Sequence, residues 1–565
     1  MHRRIPWFFV TLIILTGLFG CTAGYDGPPA DLVVMNAKIV TIDKDYPRGE
    51  AIAVKGEVIL AVTSNAKIKQ YIEEGATKVI DAGGRLLIPG LNDAHIHFTG
   101  GGTSLMQLDF RYVHDTDTIK QMVADAVEHS KPGELIQGRG WEHETFPDKK
   151  WPTKEILDAV APDNPVVLSR ADGHSVWVNS YVIRESEVTK DTPDPRNGTI
   201  MRDPETGEPT GIFKEGASRL LKVSSSVELT AEEREERSDQ ALELALKAAR
   251  ETGVTSVQQL NGGFERFMRF KEEGRLTARA TINMSLPHND ERFARLVELR
   301  QEYPQSNNWI RFGYLKIFID GTLGSGTALM FEPFEDDPDT SGLPMMPYEE
   351  FEGRIVAADA RGFQTGTHAI GTKGNNFVLN AVQKSREVNG TRDARHRSEH
   401  AQILIDEDIP RFAELGVIAS MQPTHCITDK RFAEKRIGLE RCRGAYAWRR
   451  LLDAGAKLAF GTDWPVEPID PLEGLYGAVS RKDRAGEEGE GWFPDQKLSM
   501  EEAIEFYTLG AAYSEFMEDR KGKLKEGYLA DMVIFNQDLM TIPHDQIMKS
   551  KVDITIVGGK VVFER

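Results

Sequence analysis

The sequence predicts an α/β fold: a (β/α)8 TIM barrel joined to a small β-sandwich domain built from both chain termini. Three observations lead there. The middle of the 565-residue chain alternates short apolar strands with amphipathic helical stretches, and eight such strands can be counted. Both ends carry short alternating apolar–polar runs punctuated by glycine, the texture of antiparallel sheet. Several central strands also end on a histidine, a lysine or an aspartate, which in a parallel barrel gathers reactive groups at one mouth.

Taken in order, residues 1–20 start with Arg3 and Arg4 and continue as an apolar run from Ile5 to Gly20. That run is short for a membrane span and suits a signal peptide. It ends Leu-Phe-Gly-Cys and is similar to a bacterial lipoprotein signal, in which Cys21 takes the lipid. An ordinary secretory signal and an uncleaved anchor are the alternatives. The expected location is the bacterial cell envelope, exported and held to a membrane by the lipid anchor on the periplasmic or extracellular side. Residues 21–30, rich in glycine and proline, read as a tether. Residues 31–88 and 520–565 share the β texture, and chain ends often lie close together, so they are read as one composite sandwich.

The barrel is assigned to residues 89–519. Its eight strands lie in RLLIPGLNDAHIH, VTSVQQL, ARATINMSL, IRFGYLKIFID, GFQTGTHA, RSEHAQIL, GVIASMQP and KLAFGTDW. Stretches such as EEFEGRIVAADARG supply the helices. An insertion at about residues 101–245 separates the first two strands and is placed over the barrel mouth. The glycine-rich DGTLGSGTA lacks the Gly-Lys-Ser/Thr ending of a nucleotide loop. A net charge of −19 with no basic face argues against nucleic acid as a partner. After Cys21, only Cys426 and Cys442 remain, which is too few for a disulfide framework; they are read as free and structural, though pairing in an oxidising compartment stays open.

Residues i and i+2 of a strand share a face, so His95 and His97 point together at the end of the first strand. Lys316 lies in strand four among apolar neighbours, His368 ends strand five, His400 strand six, and Asp463 follows strand eight. Neutral imidazoles and a carboxylate are donors for zinc and similar divalent ions. Taken singly, each has a structural alternative. A lone strand-end histidine fits a hydrogen-bonded role, Lys316 fits an ion pair with Asp320, and Asp463 fits a helix N-cap. Five strand ends converging on one mouth are far more specific than any one of them.

This ordered set, with GRGWEHETF, DGHSVWVNS, KIFIDGTLGSGTALM, THAIGTKGN, EHAQ, GTDWPVEP and the tail GYLADMVIFNQD, resembles the amidohydrolase superfamily. Within it the phrases are most similar to the YtcJ-like and N-substituted formamide deformylase-like subgroup, from about residue 31 to the C-terminus. The resemblance implies that His95 and His97 bind one metal and His368 and His400 a second. It implies that Lys316, carboxylated on its amine, bridges them, and that Asp463 touches a metal and moves protons. One or two divalent ions, zinc foremost, are the implied cofactors. His174 is implied near the substrate. Trp141 and Glu142 are candidate pocket residues, Gln422 follows strand seven and faces the same way, and His425 is a candidate proton donor; core or loop roles are their alternatives.

The leading functional expectation is a metal-dependent hydrolase that cleaves a non-peptide carbon–nitrogen bond of a small amide-type substrate. An isomerase or lyase on the same scaffold would use Asp463 as a carbon-acid base instead. A non-catalytic, lipid-anchored binding protein would have no use for an open metal site. Substrate identity and oligomeric state, a homo-oligomer included, are left open.

Overall fold

The computed structural model describes residues 25, 27–222, 230–486 and 489–565. The proposed signal segment and Cys21 lie outside them. Eight strands form the barrel sheet: β1 (Leu91–Ile96), β2 (Val254–Gln259), β3 (Arg279–Ser285), β4 (Ile310–Phe318), β5 (Thr365–Ala369), β6 (Arg397–His400), β7 (Ile418–Met421) and β8 (Lys457–Phe460). Each pairs in parallel with the next, so sheet order follows chain order. The seam between β8 and β1 is stitched beyond the strand ends. Asp463 N–H donates to the His95 carbonyl at 2.8 Å and His97 N–H to the Trp464 carbonyl at 2.8 Å. Gly461 sits in this seam, where a side chain would collide with the backbone of His95 and the carboxylate of Asp93. The closure brings β1, with its histidine pair, beside the segment that carries Asp463.

The helices close the barrel's outer layer. The helix Ala231–Glu251 opens with a capping box between Thr230 and Glu233. Its buried face, Leu242, Ala245, Leu246 and Ala249, joins Ile96, Phe98, Val254 and Val257 in one core. This helix, read from sequence as part of the insertion, packs on the barrel; the insertion's own sheet ends at Glu215. That sheet has six strands, among them Leu108–Asp109, Ile136–Trp141, Val166–Arg170, Ser175–Val178 and Pro209–Glu215. Its core is Phe110, Trp141, Leu168, Trp177 and Ile212.

The chain ends meet as expected. Leu86–Pro89 pairs antiparallel with Met532–Phe535, joining N-terminal and C-terminal strands in one six-stranded sheet. A four-stranded sheet from Leu32–Met35, Ala51–Lys55, Val58–Thr63 and Lys78–Asp81 packs against it. Leu32, Val34, Ile52, Val54, Leu87, Ile534 and Ile556 fill the space between. The segment RLLIPGLNDAHIH, which reads as one strand, is two. Leu86–Pro89 belongs to the terminal sheet and β1 to the barrel, and the chain crosses at Gly90, where Thr255 leaves no room for a Cβ. The tether ends early, since Ala30 is already buried and its N–H donates to the Tyr71 carbonyl at 2.9 Å. Cys426 and Cys442 are free and buried.

Candidate metal centre

The C-terminal ends of the barrel strands open into a cavity of about 540 Å³, lined by His95, His97, Lys316, His368, His400 and Asp463 from the barrel and by Arg139, Glu142, Arg170 and His174 from the insertion. The ligand candidates converge on Asp463. Its Oδ1 lies 3.6 Å from His95 Nε2 and 3.5 Å from His97 Nε2, and its Oδ2 lies 4.0 Å from His400 Nδ1. Lys316 Nζ stands 3.5 Å from His95 Nε2. The ring of His400 is 4.8 Å from that of His95 and 4.5 Å from that of His368. Ligand atoms of His95, His400 and Asp463 all fall within 4.8 Å of one another.

Hydrogen bonds fix which ring atoms face the cavity. His95 Nδ1–H donates to Glu399 Oε2 at 2.5 Å, so its Nε2 lone pair points inward. Glu399 is itself held by Arg397, whose Nε lies 2.7 Å away, and both side chains are fully buried. His368 Nε2–H donates to the Gly321 carbonyl at 3.1 Å, which leaves Nδ1 as its ligand atom. His400 donates from Nδ1 to Gln422 Oε1 at 2.8 Å. Burial is the main cause that holds His95, His368 and His400 well below the ordinary histidine range, so all three are neutral and able to ligate at pH 7. Burial likewise lowers the Lys316 amine to about 8.

Two of these positions are held in strained backbone. His400 has φ 77° and Asp463 φ 58°, left-handed values that side chains other than glycine rarely adopt. His400 ends β6 with its ring beside those of His95 and His368, and Asp463 lies three residues beyond the end of β8. Asp463 Oδ1 is buried without a hydrogen-bond partner, as is His425 Nε2. A buried carboxylate oxygen left bare among imidazole nitrogens is costly unless a cation meets it, so the residues fit a divalent ion.

The remaining sequence candidates divide. His425 accepts at Nδ1 from Gln402 at 3.1 Å, which leaves its Nε2–H facing Asp463 Oδ2 at 3.7 Å. His174 lines the cavity with Nδ1 bonded to Glu215 at 2.9 Å, and Glu142 lines it while ion-paired to Arg170 at 2.5 Å. Trp141 does not reach the substrate space: it is fully buried beside Trp177, with its Nε1–H donated to the Leu168 carbonyl. The residue that follows the strand, Glu142, takes the cavity side instead. Gln422 also fails to line the cavity and instead fixes His400. Asp320, offered as an ion-pair partner for Lys316, accepts N–H groups from Leu329, Ile370 and Gly371 instead.

Sequence reading passed over Glu399, Arg139, Arg170 and Glu215. Glu399 follows Arg397 at the i+2 spacing of one face, and that spacing is the signal that could have found it. The others lie on the insertion, whose register over the mouth no local pattern reveals.

A family model described as the amidohydrolase family matches residues 78–563. The chain is 32% identical over 532 residues to the putative amidohydrolase YtcJ of Bacillus subtilis, covering 93% of this chain and 98% of that protein. It is 25% identical over 552 residues to the N-substituted formamide deformylase of Arthrobacter pascens, covering 95% and 98%. A crystal structure of an uncharacterized metal-dependent hydrolase from Pyrococcus furiosus superposes with a TM-score of 0.69 at 27% identity, over 90% of this chain and all of that one.

Proposed function

The chain belongs to the amidohydrolase family, and from that premise we propose that it hydrolyses an amide-type, non-peptide carbon–nitrogen bond in a small molecule. Membership and the likeness to a metal-dependent hydrolase establish the coarser activity, metal-dependent hydrolysis. The observation that carries the finer reading is Asp463, a bare buried carboxylate 3.5 to 4.0 Å from three strand-end histidines at the floor of a cavity. The named activity of the deformylase relative, on N-substituted formamides, supports the choice of bond.

In this reading His95, His97 and Asp463 would hold one divalent ion and His368 and His400 a second, zinc being the ion that this donor set suits best. Lys316, whose amine burial makes easier to deprotonate, would on carboxylation add two anionic oxygens to this donor set. Such ions make a nucleophile available from water near pH 7 and polarise the substrate carbonyl. Asp463 then takes the proton of the attacking water and passes it to the leaving nitrogen, so that amine and carboxylic acid are the products. His425 Nε2–H, beside Asp463, donates a hydrogen bond as charge develops. Glu399 and Gln422 hold the rings of His95 and His400 in the ligating orientation.

The test is a panel of N-substituted formamides and other small amides with metal-replete enzyme in H₂¹⁸O. Release of amine with ¹⁸O in the acid, abolished by exhaustive chelation and restored by zinc, is the expected result. Full activity after chelation, or product of unchanged mass, would sink it. We further propose export and lipid anchoring through Cys21. Membrane fractionation checks this: Cys21→Ala should move the protein to the soluble fraction.

A further inference from the structure

The glycine-rich segment DGTLGSGTA, which lacks the ending of a nucleotide loop, is part of how the metal centre is held. It follows β4, and its first glycine, Gly321, offers the carbonyl that takes His368 Nε2–H at 3.1 Å. Gly321 N–H donates to the Thr327 carbonyl at 3.2 Å, and Thr322 N–H to the Thr327 hydroxyl at 3.0 Å, so the segment folds back on itself. A Cβ on Gly321 would collide with the Thr327 hydroxyl and stand 2.9 Å from Glu215 Oε1. The carboxylate of Glu215 is therefore pressed against the residue that orients His368.

Glu215 comes from the insertion, where it is the last residue of the strand Pro209–Glu215. Its side chain is 8% exposed. On one side it accepts the Thr327 hydroxyl at 2.7 Å, from 112 residues further along the chain, with the Ser325 hydroxyl at 3.5 Å. On the other side it accepts His174 Nδ1–H, at 2.9 and 3.1 Å to its two oxygens, which leaves Nε2 for the cavity that this ring lines. The backbone ties the same pair, since Glu215 N–H donates to the His174 carbonyl at 2.8 Å. A glutamate stands here although its φ of 49° is a left-handed value that glycine adopts more easily. Such strain persists where the surrounding contacts outweigh it, and the contacts here are those of the carboxylate.

We propose that Glu215 is a positioning residue with two arms: through Thr327 and Gly321 it holds His368 in its ligating orientation, and through His174 Nδ1 it sets the ring that presents Nε2 to the substrate. This rests on the metal-dependent hydrolysis proposed above. A carboxylate suits the task because both of its oxygens only accept, and it meets donors from two separate parts of the chain. The insertion is thereby tied to the centre at the residue that orients a candidate ligand. Outer groups of this kind set metal affinity without touching the metal.

The experiment titrates zinc into metal-stripped enzyme against a chelator of known affinity, so that the two equivalents are read in turn. It also measures kcat and KM on the N-substituted formamide cleaved best in the panel above. Thr327→Val removes one hydroxyl and should weaken the second zinc about tenfold while the first zinc and KM stay unchanged. His174→Gln should keep both zinc equivalents and raise KM about tenfold. Glu215→Leu should do both, and Glu215→Gln, which keeps one oxygen acceptor, should fall between Glu215→Leu and the wild type. Thermal unfolding reports whether each variant is intact; if Glu215→Leu does not fold, Thr327→Val and His174→Gln decide. Wild-type enzyme that takes up two zinc equivalents but cleaves no amide would remove the hydrolytic reading, and the zinc titration alone would then decide the role of Glu215. An unchanged second zinc in Thr327→Val, an equal loss of both equivalents there, an unchanged KM in His174→Gln, or a wild type that takes up fewer than two equivalents would overturn the assignment.

Discussion

Glu399 is the residue whose alteration says most about the centre, because it does two separable things. It accepts the Nδ1–H of His95 at 2.5 Å and it balances Arg397, in a pair with no solvent exposure. Glu399→Gln keeps the volume and removes the charge. Arg397 is then a buried cation facing an amide, and removing one partner of a buried pair costs about 3–5 kcal/mol of stability. The effect on His95 is distinct. A glutamine can present its NH₂ to Nδ1 and so turn the ring into the tautomer whose Nε2 carries a hydrogen and cannot ligate. Loss of such an outer carboxylate lowers metal affinity or activity about 10- to 100-fold. Thermal unfolding measures the first effect and chelator competition with zinc the second. The double variant Arg397→Gln/Glu399→Gln separates them, because it removes the uncompensated charge and should recover part of the lost stability while zinc affinity stays low. Unchanged zinc affinity in a folded Glu399→Gln would refute the claim that this carboxylate sets the ligating face of His95.

Three further outcomes follow from the same geometry. Asp463→Asn should retain most of its bound metal, measured by elemental analysis, yet lose about 10²- to 10⁴-fold in kcat, since an amide cannot accept the proton; near wild-type turnover would reassign the base. Lys316→Ala should lose the second metal equivalent and regain part of both metal and activity with millimolar acetate or propionate; unchanged metal content without rescue would remove the bridging carbamate. Because burial lowers Lys316 to about 8 from 10.5, its amine is mostly protonated at pH 7 and mostly neutral at pH 9. Reactivation of metal-stripped enzyme by zinc at fixed dissolved CO₂ should therefore quicken about tenfold from pH 7 to pH 9, as followed by the recovery of amide hydrolysis; a flat profile would mean that the amine is not the group that reacts.

The barrel was legible because its signal is local. Each of the eight strands announces itself as an apolar run, and the polar residue that ends it needs no distant partner to be noticed. The composite sandwich was legible for the same reason. What escaped depends on contacts between segments far apart in sequence. Trp141 looked like a pocket residue in GRGWEHE, but whether it or Arg139 faces the cavity is set by how the insertion sheet lies on the barrel. The indole packs on Trp177, while the guanidinium is drawn to the Pro465 carbonyl 326 residues away. Gln422 was correctly placed after β7 yet serves His400, accepting its Nδ1–H across the β6–β7 pairing. The break of RLLIPGLNDAHIH at Gly90 was invisible for a similar reason, since Thr255, which forbids a side chain there, lies on the next barrel strand.

The division of labour between barrel and insertion explains why the candidate ligands could be named from sequence and the residues over the mouth could not. Every candidate ligand stands at or just beyond the end of a barrel strand, in a frame of seven parallel pairings. The orienting groups Glu399 and Gln422 come from β6 and from the residue after β7, so the candidate ligands and the groups that hold them belong to one frame. The rest of the cavity wall is built across a boundary. Arg139 and Arg170 lie on strands of the insertion's sheet, Glu142 and His174 in the segments between its strands, and its links to the barrel include Arg139 to Pro465 and Arg431 to Glu142. The insertion also reaches the candidate ligands: the His174 ring lies 5.9 Å from that of His368, and Arg139 donates to the carbonyl of Pro465, two residues after Asp463. The seating of the insertion on the barrel therefore fixes which of its charged side chains line the cavity, and no local pattern in the sequence reveals that seating.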